Sequence, residues 1–180
     1  MSTAANVTAA KPKIGGGVWV APKNATAPTD ASTDLDNAFK SLGYVSEDGL
    51  TNSNSPSSND VKAWGGDVVM SLLTEKPDKF KFKLIENVNL EVLKNVYGDS
   101  NVNVDSDMTT ITAKAADLPL KSWTFDIVLS ETKIKRIYVP QAKITSVGDI
   151  VYKDDEPIAY DLEITAYPDA EGNTHYEFIE

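Results

Sequence analysis

Residues 78–99 read DKFKFKLIENVNLEVLKNVYGD, and the fold class turns on how this stretch is parsed. From Lys79 to Leu84 apolar and basic residues alternate: Phe80, Phe82 and Leu84 fall between Lys79, Lys81 and Lys83. Successive side chains of a strand point to opposite faces, so this spacing predicts a strand with one aromatic face and one row of ammonium groups. From Asn87 the period changes. Leu90, Leu93 and Tyr97 share one face of a helix, with Val92 and Val96 beside them. Asn87 or Asn89 can cap the start, Glu91 lies in the first turns, Lys94 near the end, and Gly98 suits the position just past the helix. The predicted helix, 88–97, is too short to be stable alone and must lie on a sheet.

The chain on the C-terminal side continues as β-structure. Strand patterns occupy 108–115, 122–130, 133–140, 142–152, 157–168 and 174–179. In the second of these, Trp123, Phe125, Ile127 and Leu129 form one apolar face. Short strands separated by regular turns predict a mainly β protein: an antiparallel sandwich or barrel with one flanking short helix.

On the N-terminal side, residues 1–16 read as a flexible arm, with Gly15, Gly16 and Gly17 as a hinge into a domain spanning 17–180. VWVAP (18–22) is a short strand stopped by Pro22, and 23–34 is a polar loop. Residues 35–43 fit either one helical turn ending at Gly43 or a loop with two apolar pegs, Leu35 and Phe39. The segment from Asp48 to Asp60 is Ser, Asn, Gly and Pro with few apolar side chains, so it cannot bury itself and must project. Flanked by Tyr44–Val45 and Val61–Trp64, it reads as the tip of a long hairpin, and a further strand, 67–74, follows the Gly65–Gly66 break.

A net charge of −10 disfavours general binding to nucleic-acid phosphates or anionic membranes. Without cysteine, disulfides and thiolate metal sites are excluded. The first residues hold no apolar run, so no signal peptide is expected, and no stretch approaches a membrane span. The sole histidine, His175, reads as an ordinary strand or tail residue, since no partnered nucleophile or ligand set accompanies it. P-loop, dinucleotide and nucleophile-elbow motifs are missing, and IGGGV lacks the spacing that phosphate binding needs. The acidic clusters at 98–107 and 153–156 do not follow the ligand order of a calcium loop and read as solvated turns. Paired carboxylates of a glycosidase kind carry no weight in so acidic a chain. No cofactor is expected. The row Lys79, Lys81, Lys83 has two readings: a solvated face that keeps an edge from aggregating, or a partner for the acidic row of Asp161 and Glu163, on neighbouring strands or neighbouring subunits.

The order of these parts resembles a known family. GVWVAP, then LDNAFKSLGYVSEDGLTNSNSPSSNDVKAWGGDVV, then FKFKLIENVNLEVLKNVYG, then KRIYVPQAKITSVGDIVYKDDEPIAYDLEITAYPDAEGNTHYEFI, is similar to the major tail (tail tube) proteins of long-tailed bacteriophages. The likeness runs from about Gly17 to Ile179 and is nearest to non-contractile phages of Gram-positive, especially actinobacterial, hosts. The resemblance implies a β-sandwich or barrel, related to the haemolysin-coregulated proteins of type VI secretion, with no enzymatic role. It implies homohexameric rings stacking into a hollow tube in the virion tail, assembled in the host bacterial cytoplasm. The implied partners are further copies, a tape-measure protein, and tail-tip and tail-terminator proteins, with genomic DNA passing through unbound and no membrane involved. No C-terminal immunoglobulin-like decoration domain is expected after HYEFIE. Carried onto this chain, the loop at 48–60, with Asp48, Asn52, Asn54, Ser57, Asn59 and Asp60, would reach the next ring. If that hairpin runs along the tube axis, Glu47, Asp48, Asp60, Asp67 and Asp126 are candidate acids of the bore, with Asp161 and Glu163 as a competing set. A β-sandwich module that binds carbohydrate or decorates a virion is the alternative; it would show exposed aromatic residues on one flat face.

Overall fold

The computed structural model of the chain describes residues 2–14, 16–115 and 117–180. Met1 and Gly15, both within the expected arm, lie outside the described residues, as does Ala116. Among the described residues, thirteen strands and one α-helix make up the fold. They are β1 (Lys11–Pro12), β2 (Val18–Pro22), β3 (Lys40–Ser41), β4 (Val45–Ser53), β5 (Ser57–Lys62), β6 (Val68–Glu75) and β7 (Lys79–Leu84), then α1 (Leu90–Tyr97), then β8 (Val102–Asp105), β9 (Met108–Ile111), β10 (Lys121–Ser130), β11 (Lys133–Val147), β12 (Tyr160–Ala166) and β13 (Tyr176–Ile179). The main sheet runs β3-β2-β10-β11-β12-β7-β4, with β1 beside β10 and β13 beside β11. Every pairing is antiparallel, and β5–β6 and β8–β9 are separate two-stranded ribbons.

This sheet is folded over on itself. β10 and β7 are separated by two strands, so in a flat sheet they would lie about 14 Å apart at the usual inter-strand spacing. Yet the Phe80 ring of β7 stacks on Phe125 of β10 at 5.4 Å between centroids, and Phe82 meets Trp123 at 5.8 Å. The apolar rows of β7, β10, β11 and β12 therefore face one another across a shared core, and Val92, Leu93 and Val96 of α1 pack into it. The result is a β-sandwich with one helix.

The turn of the chain into α1 forms as its sequence dictates. Asn89 accepts the Glu91 N–H as N-cap, and Gly98 ends the helix at φ 95°. Gly43 is tied to the same corner. It sits at φ 76°, and a Cβ there would run into the Glu86 carboxylate. That carboxylate accepts the Tyr44 N–H at 2.9 Å and an Asn89 side-chain N–H at 3.0 Å, joining the start of β4 to the helix cap.

Several expectations are corrected. The patterns at 133–140 and 142–152 are one strand to Val147, because the register slips by one residue at Pro140, between the Trp123–Val139 and Lys121–Ala142 pairs. A bulge is where a residue without an N–H is tolerated. Residues 35–39 form the loop with pegs: Phe39 is buried and Leu35 packs beside it. The arm is attached for part of its length, since Lys11 and Pro12 pair with Val128 and Ile127. The projecting element is not 48–60. Residues 45–53 form β4 on the edge of the main sheet, and the projecting hairpin is 57–75, with Trp64, Gly65 and Gly66 in its turn. The reason is that β4 has its own core-side residues, Val45 and Leu50, which dock it against β7.

Candidate functional site

The charged rows lie on adjacent strands. β12 pairs with β7 so that Asp161 is opposite Lys83, Glu163 opposite Lys81 and Thr165 opposite Lys79. Period two sends all of these away from the core, where Phe80, Phe82, Leu162 and Ile164 are buried. Glu163 takes Lys79 Nζ at 2.8 Å and Lys81 Nζ at 3.5 Å. The hydrogen bond from Lys79, opposed by partial burial and helped by both lysine charges, holds the Glu163 carboxyl below its ordinary value. Cross-strand pairs of this exposure contribute about 0.2–1 kcal/mol each, and their larger effect is to fix register.

Asp126 is a correction. The sequence offers it as a candidate acid of the bore, but only 4% of it is exposed. It lies opposite Arg136 in the β10–β11 ladder and accepts Arg136 Nε at 2.6 Å and Nη2 at 3.0 Å. The same guanidinium donates through Nη1 to the carbonyls of Asp30 and Thr33, pinning the 23–39 loop over this face of the sheet. Arg136 is the sole arginine among 17 basic residues, and its planar fork is what a buried bidentate pair requires.

The sole histidine is also engaged by a buried aspartate. Asp78, 2% exposed, stands between the end of β6 and the start of β7. It accepts Asn52 Nδ2 at 2.8 Å and Thr174 Oγ1 at 2.6 Å, and lies 2.5 Å from His175 Nδ1. Burial pushes its carboxyl up, but the hydrogen bonds from Thr174, Asn52 and His175 outweigh it and leave the group below its ordinary value. This clasp gathers the end of β4, the return from the ribbon and the segment leading into β13. Nothing in the alternation of residues 79–84 marks Asp78, which reads as a turn residue.

The remaining candidates sit on exposed backbone. Glu47 and Asp48 lie on β4; Ser57, Asn59 and Asp60 on β5; Asn54 between these strands; and Asp67 in the ribbon turn, where its carbonyl accepts the Ala63 N–H at 2.8 Å. Asn52 is committed to Asp78 and to the Lys79 carbonyl. The ribbon itself is asymmetric. β5 is mostly polar, while β6 carries Val68, Val69, Met70, Leu72 and Leu73, each between 49% and 63% exposed. Consecutive residues of a strand face opposite ways, so β6 offers apolar side chains on both faces, the pattern of a strand interior to a sheet. Trp64, in the turn, is fully exposed.

A sandwich pinned by the buried Arg136–Asp126 pair, with a projecting ribbon apolar on both sides, defines a structural β protein equipped to associate through its strands. The chain belongs to the phage tail tube protein family, whose model matches residues 3–180. It is accordingly a structural protein of the phage tail that assembles into a tube. No curated protein matches the chain.

Proposed function

We propose that copies of this chain close into hexameric rings, that the rings stack into the hollow tube of a non-contractile tail, and that DNA leaves the virion through it. The observation that carries this reading is the ribbon Ser57–Glu75, whose β6 holds apolar side chains on both faces outside the core of its own subunit. These side chains are already about half covered, so completing their burial would gain half of the ~1.5–3 kcal/mol of a fully buried side chain, which favours contact with further copies. The arm at 1–16 and the exposed residues Asn54, Ser57, Asn59 and Asp60 would take part in the same contacts. Exposed Glu47, Asp48, Asp60 and Asp67 would give the bore a negative lining that repels phosphate, within the roughly 8 Å over which charge acts at physiological salt. Glu163 is less available for that role, because it is held by two lysines, while exposed Asp161 stays a competing candidate. Tape-measure, tail-tip and tail-terminator proteins are the implied partners, and assembly takes place in the host cytoplasm. A carbohydrate-binding or decoration module is disfavoured: Trp123 is buried, Trp19 is half-buried in β2 and Trp64 stands alone in the ribbon turn.

The test is electron microscopy of the purified protein beside a variant with 57–75 replaced by a short glycine linker. Ser53 and Lys79 are opposite one another in the β4–β7 ladder, so the ends are close enough to be joined. Rings or tubes from the parent and folded monomers from the variant are expected. Tubes from both would overturn the role given to the ribbon, and small uniform particles from the parent would overturn the tube reading.

A further inference from the structure

Val92, Leu93 and Val96 carry α1 into the core, and apolar contact of this kind is non-directional. A polar side chain lies among them. Asn95 is 2% exposed and donates through Nδ2 to the Glu91 carbonyl at 2.7 Å. A carbonyl can only accept, so it fixes which end of the amide faces it and turns Oδ1 the other way. Asn95 Oδ1 is buried and has no hydrogen-bond partner among the described residues. Across from the helix, Trp123 of β10 is 1% exposed, and its Nε1–H is likewise buried without a partner among them. Buried groups of this kind are as a rule met, by protein or by ordered water.

Both residues line one cavity of about 10 Å³ where α1, β10 and β11 meet. Leu118, Pro119 and Ile144 supply its apolar wall. Lys94 and Lys121 also border it, but their ammonium groups are held by Glu91 and Asp99, at 3.1 and 3.3 Å. A space of about 10–15 Å³ admits one water, which stays where two to four polar partners meet it. Whatever fills this cavity must accept from an indole N–H and donate to an amide oxygen. A metal ion or an ammonium cannot accept, and a halide cannot donate. Water does both and is of the right size.

We infer that one structural water resides in this cavity, accepting from Trp123 Nε1–H and donating to Asn95 Oδ1, and so joins α1 to β10. Hydrogen bonds are directional. The bridge therefore fixes the rotation of the helix on the sheet, which the apolar contacts alone leave free to shift. The site lies within one subunit and is independent of how copies assemble.

Two measurements test it. In a density map of crystals or tubes that resolves ordered waters, one peak is expected within hydrogen-bonding distance of both Trp123 Nε1 and Asn95 Oδ1. A map with no density there overturns the inference. In soluble protein with isotope-labelled tryptophan, the Trp123 indole proton should show a dipolar cross-peak to water. Trp64→Phe identifies the signal of the exposed indole, and Trp19→Phe that of the indole bonded to the Gly16 carbonyl, which leaves Trp123. Asn95→Leu removes the acceptor and fills the space, so the water cross-peak should vanish while the indole signal remains. A cross-peak that persists in Asn95→Leu refutes Asn95 as the second anchor. An upfield-shifted Trp123 proton without a water cross-peak means that the N–H is aimed at the ring of Phe82, 5.8 Å away between centroids, and also overturns the inference. Should Asn95→Leu fail to fold, the map and spectrum of the parent decide.

Discussion

Replacing Asp126 by alanine separates the two roles this residue could have had. The carboxylate is 4% exposed and receives two hydrogen bonds from a guanidinium that is itself 1% exposed. Its removal leaves Arg136 charged and buried, with only the carbonyls of Asp30 and Thr33 as acceptors. Each charge-assisted bond contributes about 1.5–3 kcal/mol, and breaking a buried pair from one side costs about 3–5 kcal/mol in all. Against a total stability of about 5–15 kcal/mol this is about a fifth or more of what holds the domain. For a domain of this size it corresponds to a fall in Tm of about 6–20 °C. Urea unfolding of Asp126→Ala should show the loss as a lower midpoint with unchanged slope. The double variant Asp126→Leu with Arg136→Met should recover much of it, since an apolar pair of similar volume carries no desolvation cost. In that double variant the 23–39 loop should become the first site of proteolysis, because the carbonyls of Asp30 and Thr33 lose their donor. A loss below about 1 kcal/mol for Asp126→Ala would refute the buried pair and return Asp126 to the acids that could line a bore.

Other outcomes follow from the same contacts. Asp78→Ala strands three donors and should cost about 1–3 kcal/mol, with amide exchange accelerating first in β13 and at the root of the ribbon; uniform exchange would dispose of the clasp. Asp78 and Glu163 both have folded carboxyls below their ordinary values of 3.8 and 4.5, so the unfolded chain binds protons more readily. Their stabilisation is therefore complete above about pH 5 and is lost as pH falls through the folded values, and Asp78→Asn should flatten the acid limb of a Tm–pH curve. A curve unchanged by that substitution would contradict the assignment. Asn89→Ala removes the helix cap and should cost about 1 kcal/mol by urea titration, a change that serine at the same position should largely avoid.

Local structure was legible in the sequence because its causes are local. Alternation alone places Phe80, Phe82 and Leu84 opposite the lysines, and the spacing of Leu90, Leu93 and Tyr97 between Asn89 and Gly98 suffices for one short capped helix. Trp123 and Phe125 as one core row follow in the same way. What alternation cannot express is a second cover. Ser122, Thr124 and Asp126 occupy the positions of a solvent face, yet all three are buried, because the distant 23–39 loop folds over them and supplies carbonyls to Arg136. Pairing choice was equally out of reach. The polar run after Asp48 looks like one projecting tip, but β4 is held by Leu50 against Phe82, whereas β5 is drawn away to β6. The clasp at Asp78 joins residues about a hundred positions apart, and no period links them. A side chain's face is set by its own backbone and its neighbours within a few residues; what covers that face, and whether a carboxylate there meets water or a guanidinium, is decided only when remote segments meet.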